Sequence, residues 1–181
     1  MSKALIIIDI QNDYFENGAM ELKGSLQASE NAKQILEKFR TENLPIVHVQ
    51  HVSLAPESFF FLPGTKGQEI QDNVKPIEGE KVITKYYPNS FRETDLLEHL
   101  KSQQITELVF VGMMTQMCID ATVRAAKDFE FDCKVIGDAT ATRDLEINGV
   151  QVKATDVQTA FLAGLSFFYA EIKNTKEYLS L

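Results

Sequence analysis

Three residues of this 181-residue chain have the types that nucleophilic catalysis needs, and each stands just beyond an apolar run. Asp9 closes "KALIIID", and Lys85 follows "KVIT" in "KVITKYYPNSF". Cys118 lies a few small or flexible residues past "ELVFVG", in "VFVGMMTQMCIDATVRAA". A carboxylate can take a proton, a thiol can become a nucleophile, and an ammonium can support the charges that both acquire. At a helix N-terminus beside a lysine, a thiolate is favoured, and the unpaired N–H groups there suit an oxyanion. Each residue also has a plainer reading. Asp9 fits a turn or cap, and Lys85 a solvated surface. Cys118 shares a helical face with Ala121, Thr122, Ala125 and Phe129, so it also fits the start of a buried stripe. Convergence on one sheet edge favours the chemical reading.

The elements that must do the positioning alternate between strand and helix. Lys3–Asp9 is a continuous aliphatic run, as in a strand buried on both faces of a parallel sheet. Ser25–Glu42 has helical spacing, with Ala28, Ala32, Ile35, Leu36 and Phe39 on one stripe. Pro45–His51 and Lys81–Thr84 read as strands, Thr94–Lys101 as helix, Glu107–Gly112 as strand, Met117–Phe129 as helix and Cys133–Gly137 as strand. A helix over about 152–163 and a last strand near 167–172 follow. This pattern predicts an open α/β parallel sheet with helices on both faces, in which ligands bind beyond the carboxyl ends of the strands. Val52–Glu80, rich in proline and glycine, reads as an irregular excursion of the functional kind. Within it Phe59, Phe60 and Phe61 cannot all face inward, which leaves at least one for a pocket or an interface.

Composition narrows the function classes. With 18 Lys+Arg against 26 Asp+Glu, the chain carries a formal charge of −8. No basic cluster marks a nucleic-acid partner. Two cysteines make no disulfide framework, and Cys133 reads as packing. "AFLAGLSFFYA" is too short to span a bilayer, and the opening "MSKALIIIDIQNDYF" lacks a signal-peptide cleavage site. The expectation is a cytoplasmic protein of one domain, residues 1–181, acting on a small molecule.

"LIIIDIQNDYF", "KYYPNSF" and "VGMMTQMCIDATVRAA" resemble the three signature segments of the isochorismatase-like cysteine hydrolases. Their order and spacing match, and "FLPGTKGQEI" and "GDATATR" are similar to further segments. The resemblance implies a Rossmann-like fold and a catalytic triad of Asp9, Lys85 and Cys118. It also implies a non-proline cis peptide at Met113–Met114 and an oxyanion hole from the N–H groups of Met114 and Cys118. Gln11 and Tyr14 fall at substrate-positioning and pocket-lining places, and family members are commonly homo-oligomers, so a neighbouring subunit is expected to help line the pocket. No cofactor is implied.

The nicotinamidase branch of that family holds a metal through an Asp and two histidines, with Asp-x-His after the second strand. Here "VHVQHVSLAPE" has no such Asp. His48 and His51, three apart on a strand, point to opposite faces, so no metal site is expected. His48 reads as core or boundary, His51 as the start of the pocket and His99 as surface. Gln116 stands where an Asp is usual. Some relatives cleave the vinyl ether of isochorismate, often without the cysteine. Cys118 therefore favours hydrolysis of an amide or related C–N bond, with the ether cleavers as the alternative and a thiol-bearing redox sensor as a non-enzymatic one.

Overall fold

The computed structural model describes residues 2–180. In chain order the elements are β1 (Lys3–Ile8), α1 (Ser25–Thr41), β2 (Ile46–His51), β3 (Lys81–Lys85), α2 (Leu96–Ser102), β4 (Glu107–Met113), α3 (Asp120–Asp128), β5 (Asp132–Ala141), β6 (Leu145–Ile147), β7 (Val150–Val152), α4 (Ala154–Ser166), β8 (Glu171–Lys173) and α5 (Thr175–Leu179). Six strands form one parallel sheet in the order β3-β2-β1-β4-β5-β8, while β6 and β7 make a separate antiparallel hairpin.

The unbroken apolar run of β1 is explained by two cores. Leu5 and Ile7 meet α1 and Tyr178 of α5 on one face. Ala4, Ile6 and Ile8 meet residues of α2, α3 and α4 on the other. From β1 the chain winds outward to β2, with α1 on the first face. It then returns past β1 to β4 and winds outward to β5 and β8, with α2, α3 and α4 on the second face. Right-handed crossovers require that change of face when the winding reverses. The reversal places the crevice between the carboxyl ends of β1 and β4. Asp9 sits at one side of it and the turn carrying Cys118 at the other.

Gly112 permits the close approach of β1 and β4 there. A Cβ on it would stand 2.0 Å from the Ile8 carbonyl oxygen, and its φ of 130° is one that side chains rarely adopt.

Several boundaries differ from the sequence expectation. The helix expected to begin at Met117 is preceded by a wide five-residue turn, Thr115–Ile119, wound in the π manner. β5 runs four residues beyond Gly137, to Ala141. The last strand is Glu171–Lys173, not 167–172, because α4 continues to Ser166 and Phe167 is 93% exposed. The β6–β7 hairpin and α5 carry no strong periodicity and were not anticipated. No helix among the described residues is long and apolar enough to cross a membrane.

Candidate active site

Asp9, Lys85 and Cys118 do converge. Asp9 and Lys85 are fully buried, and Cys118 is 5% exposed. Asp9 follows β1 in a left-handed conformation (φ 51°), an arrangement that Asp tolerates better than most residues. Lys85 ends β3, and its Nζ lies 2.8 Å from Asp9 Oδ2, 3.0 Å from His51 Nδ1, 3.1 Å from the Tyr87 carbonyl oxygen and 3.2 Å from Cys118 Sγ. The Asp9 contact is an ion pair by distance but not a well-aligned hydrogen bond. Neither carboxylate oxygen has a hydrogen-bond partner among the described residues. Asp9 therefore has free capacity to receive a proton.

Burial works against the charge of Lys85, yet the Asp9 carboxylate and Cys118 outweigh it and hold the ammonium above its ordinary range. For Cys118 the outcome is the opposite of the sequence expectation. Burial, and after it the Asp9 carboxylate, push the thiol well up, and Lys85 does not compensate. The resting sulfur is thus a protonated thiol. The turn dipole and lysine favour a thiolate, but removing the group from water beside an existing carboxylate costs more.

The Met113–Met114 peptide is cis, as expected from the sequence. Met114 caps the turn, and its carbonyl accepts from the N–H groups of Met117 and Ile119. The Cys118 N–H lies before the first bond of full π span, among the groups a helix start leaves without a helical partner. No backbone carbonyl or side chain of the described residues accepts from the Met114 N–H. Gln116 braces this turn from behind: its Oε1 accepts from the Thr142 hydroxyl at 2.5 Å.

With that geometry in place, the comparison with known proteins is direct. The isochorismatase domain model matches residues 3–165. The chain belongs to the isochorismatase family. It is 46% identical to the isochorismatase family protein YddQ of Bacillus subtilis, over 99% of both chains. A crystal structure from Oleispira antarctica, of a chain assigned to the isochorismatase hydrolases, superposes with a TM-score of 0.95 at 45% identity, covering 99% of this chain and 97% of that one. The secreted isochorismatase effector Isc1 of Verticillium dahliae is 35% identical over 96% of this chain and 88% of its own. A streptothricin hydrolase of Streptomyces noursei is 30% identical over 79% of this chain and 51% of its own.

In this isochorismatase-family site, Tyr14 is 1% exposed, and its hydroxyl is held well above its ordinary range, chiefly by burial and further by the nearby acidic groups, the Asp9 and Asp13 carboxylates among them. Its ring packs edge-on against Phe61. Gln11 ties two segments of the site together. Its Nε2 donates to the carbonyls of His51 (2.9 Å) and Gln68 (2.6 Å), and its Oε1 accepts from the His51 N–H (2.8 Å). Both amide donors are used in clamping the end of β2 and the excursion, so Gln11 positions the wall of the site.

Asp13 was not singled out in the sequence. Its carboxylate accepts from the N–H groups of Phe61 (2.6 Å) and Ala19 (3.1 Å). A Cβ on Gly67 would collide with it at 2.1 Å. Asp13 thereby holds Phe61 in a left-handed conformation (φ 54°) that is costly for a bulky residue. The Phe61 ring lies 4.7 Å from that of Tyr14 and 6.0 Å from that of His51. Of the three consecutive phenylalanines Phe61 faces inward, Phe60 is half-buried and Phe59 is 59% exposed.

The two strand histidines part company, as the spacing required. His48 is buried against Glu80 (2.8 Å). The donor atoms of Asp9, His51 and Cys118 lie within 4.8 Å of one another, a ligand triangle in form. Lys85 Nζ is within 2.8–3.2 Å of all three, so the chain's own ammonium stands where an ion would. Cys133 packs in the second core, against the α3 side, and burial pushes its thiol up to about 12.

Proposed function

We propose that this chain is a cysteine hydrolase that cleaves a small-molecule amide or related C–N bond through a thioester. The observation carrying this reading is a thiol and a carboxylate with unclaimed oxygens, both held against one buried ammonium. In this mechanism Asp9 takes the Cys118 proton as the sulfur attacks the carbonyl carbon, and the carbonyl π electrons move to oxygen. The N–H groups of Met114 and Cys118 hold that oxyanion. On collapse the C–N bond breaks, and Asp9 returns the proton to the departing nitrogen. Water, deprotonated by Asp9, then attacks the thioester. The C–S bond breaks, the acid leaves, and Cys118 recovers a proton. Lys85 keeps the sulfur and carboxylate charges balanced throughout. A neutral-substrate pocket fits the walls, which present Tyr14, Phe60 and Phe61.

The second reading is cleavage of the isochorismate vinyl ether, the activity suggested by the name of Isc1. Isochorismate brings two carboxylates. The one cation seen at the triad already makes three hydrogen bonds with its three protons and an ion pair with Asp9. This favours the amide reading, as does the thiol, for which the ether reaction has no covalent use. The test is a panel of small amides, carbamoyl compounds and ureides read by ammonia release, beside isochorismate read by pyruvate release. Ammonia from the panel that survives dialysis against a chelator supports the proposal. Pyruvate release with no turnover of any amide overturns it.

A further inference from the structure

His51 has no part in the mechanism above, yet its placement is among the most constrained in the site. It ends β2 directly opposite Lys85 in the β2–β3 register. Its backbone is clamped on both sides by the Gln11 amide, and its ring rests near that of Phe61. A residue serving only as packing needs none of this, and the imidazole Nδ1 is the second-shortest contact of the Lys85 ammonium, at 3.0 Å.

That contact is possible for one state of the ring. An ammonium has donors only, so Nδ1 must offer its lone pair, which places the ring proton on Nε2 and leaves the imidazole neutral. A protonated ring would set two cations 3.0 Å apart, one of them fully buried. The charged groups facing His51 are Asp9 from the end of β1, Lys85 from β3 and Cys118 from the turn before α3. Burial and Lys85 keep the ring below its ordinary pKa, against the pull of Asp9.

We infer that His51 is a positioning residue of this site: in its neutral form its Nδ1 accepts one hydrogen bond from the Lys85 ammonium, and this fixes the ammonium between Asp9 and Cys118. Protonation of His51 then expels the ammonium from that position and silences the thiol. The inference rests on the cysteine-hydrolase reading for its purpose. Its test does not, because alkylation of Cys118 by iodoacetamide measures the readiness of the thiol with no substrate.

The experiment follows the rate of Cys118 alkylation, by mass, across pH. In the unmodified protein the rate should rise through the neutral range, since burial keeps the thiol protonated, and below about pH 6.5 an acid limb should fall more steeply than the loss of one proton requires. His51→Asn keeps a neutral acceptor that does not titrate, so its rate at neutral pH should stay near the original while the steep limb disappears. His51→Phe keeps a ring without an acceptor, and its rate at neutral pH should drop by about tenfold or more. An unchanged rate at neutral pH in His51→Phe overturns the inference, as does a retained steep limb in His51→Asn. Nitrogen NMR of the unsubstituted protein gives a check that needs no variant. A bare Nδ1 at neutral pH, gaining its proton along the same acid limb, supports the assignment, and a protonated Nδ1 at neutral pH overturns it.

Discussion

Replacing Lys85 by Met removes one charge from a fully buried ion pair while nearly preserving side-chain length. The Asp9 carboxylate, 0% exposed, then has no cation within reach and no hydrogen bond to replace it. Breaking a buried pair in this way costs about 3–5 kcal/mol, because the remaining charge stays buried without compensation. For a chain of this size that is a fall of roughly 6–20 °C in Tm. Neutralising the partner as well should restore much of the loss. Asp9→Asn/Lys85→Met places two neutral groups in the same space and removes the unpaired charge. The double variant should therefore be more stable than Lys85→Met alone, with a coupling of roughly 2–3 kcal/mol between the sites. Urea unfolding followed by circular dichroism at neutral pH measures all four species of the cycle. The coupling should persist at high salt, since a pair out of contact with solvent is poorly screened. Additivity of the two single effects to within about 0.5 kcal/mol would refute the reasoning, for it would mean that the two charges do not balance each other in the fold.

Three further outcomes are expected. Cys118→Ala and Cys133→Ala should each cost roughly 1–2 kcal/mol, since each removes one buried sulfur from the second core, but only Cys118→Ala should abolish amide hydrolysis, with Cys133→Ala near normal. Acid should destabilise the chain through the His48–Glu80–Arg40 cluster. Burial opposes the charge of Glu80, but Arg40, the Ile77 N–H and His48 hold it at about 2, and burial keeps His48 below its ordinary value. Both groups bind protons more readily when unfolded, so their stabilisation is present above about pH 6.5 and is lost as pH falls towards 2. Urea midpoints measured across that range should slope less steeply in Glu80→Gln. Finally, the stretch Val157–Ala170 carries no charge, and Phe167 and Phe168 are 93% and 65% exposed. A homo-oligomer that covers this face should scatter light as more than one chain, and Phe167→Glu should reduce its mass.

Legibility in the sequence tracked how local the cause was. The strands Lys3–Ile8 and Glu107–Met113 were readable because burial on two faces leaves an aliphatic run that nothing else explains. The mirror error came from Phe167 and Phe168: an apolar run was taken for a buried strand, and it lies on the surface beyond α4. The convergence of Asp9, Lys85 and Cys118 was legible from residue type, position at strand ends and family resemblance. The protonation of Cys118 was not, because a helix-start argument carries no information on desolvation by Asp9. His51, Asp13 and the clamping duty of Gln11 depend on which loop crosses which strand end. That is settled by tertiary contacts 40 to 57 residues apart in the chain.

The sheet order has a consequence in time. Asp9, Lys85 and Cys118 come from three strand ends that become neighbours only when β4 enters beside β1, after β1, β2 and β3 are already made. During synthesis the thiol of Cys118 therefore emerges last of the three, and until β4 docks it is an ordinary cysteine in water. Because these contacts span long loops, closing them is a slow event in folding. Completion of the sheet thus supplies the partners, for only then does the Cys118 thiol stand beside Lys85 and Asp9. Recovery of hydrolysis after dilution from urea should accordingly lag behind recovery of helical signal, and the lag is the time β4 takes to find its place.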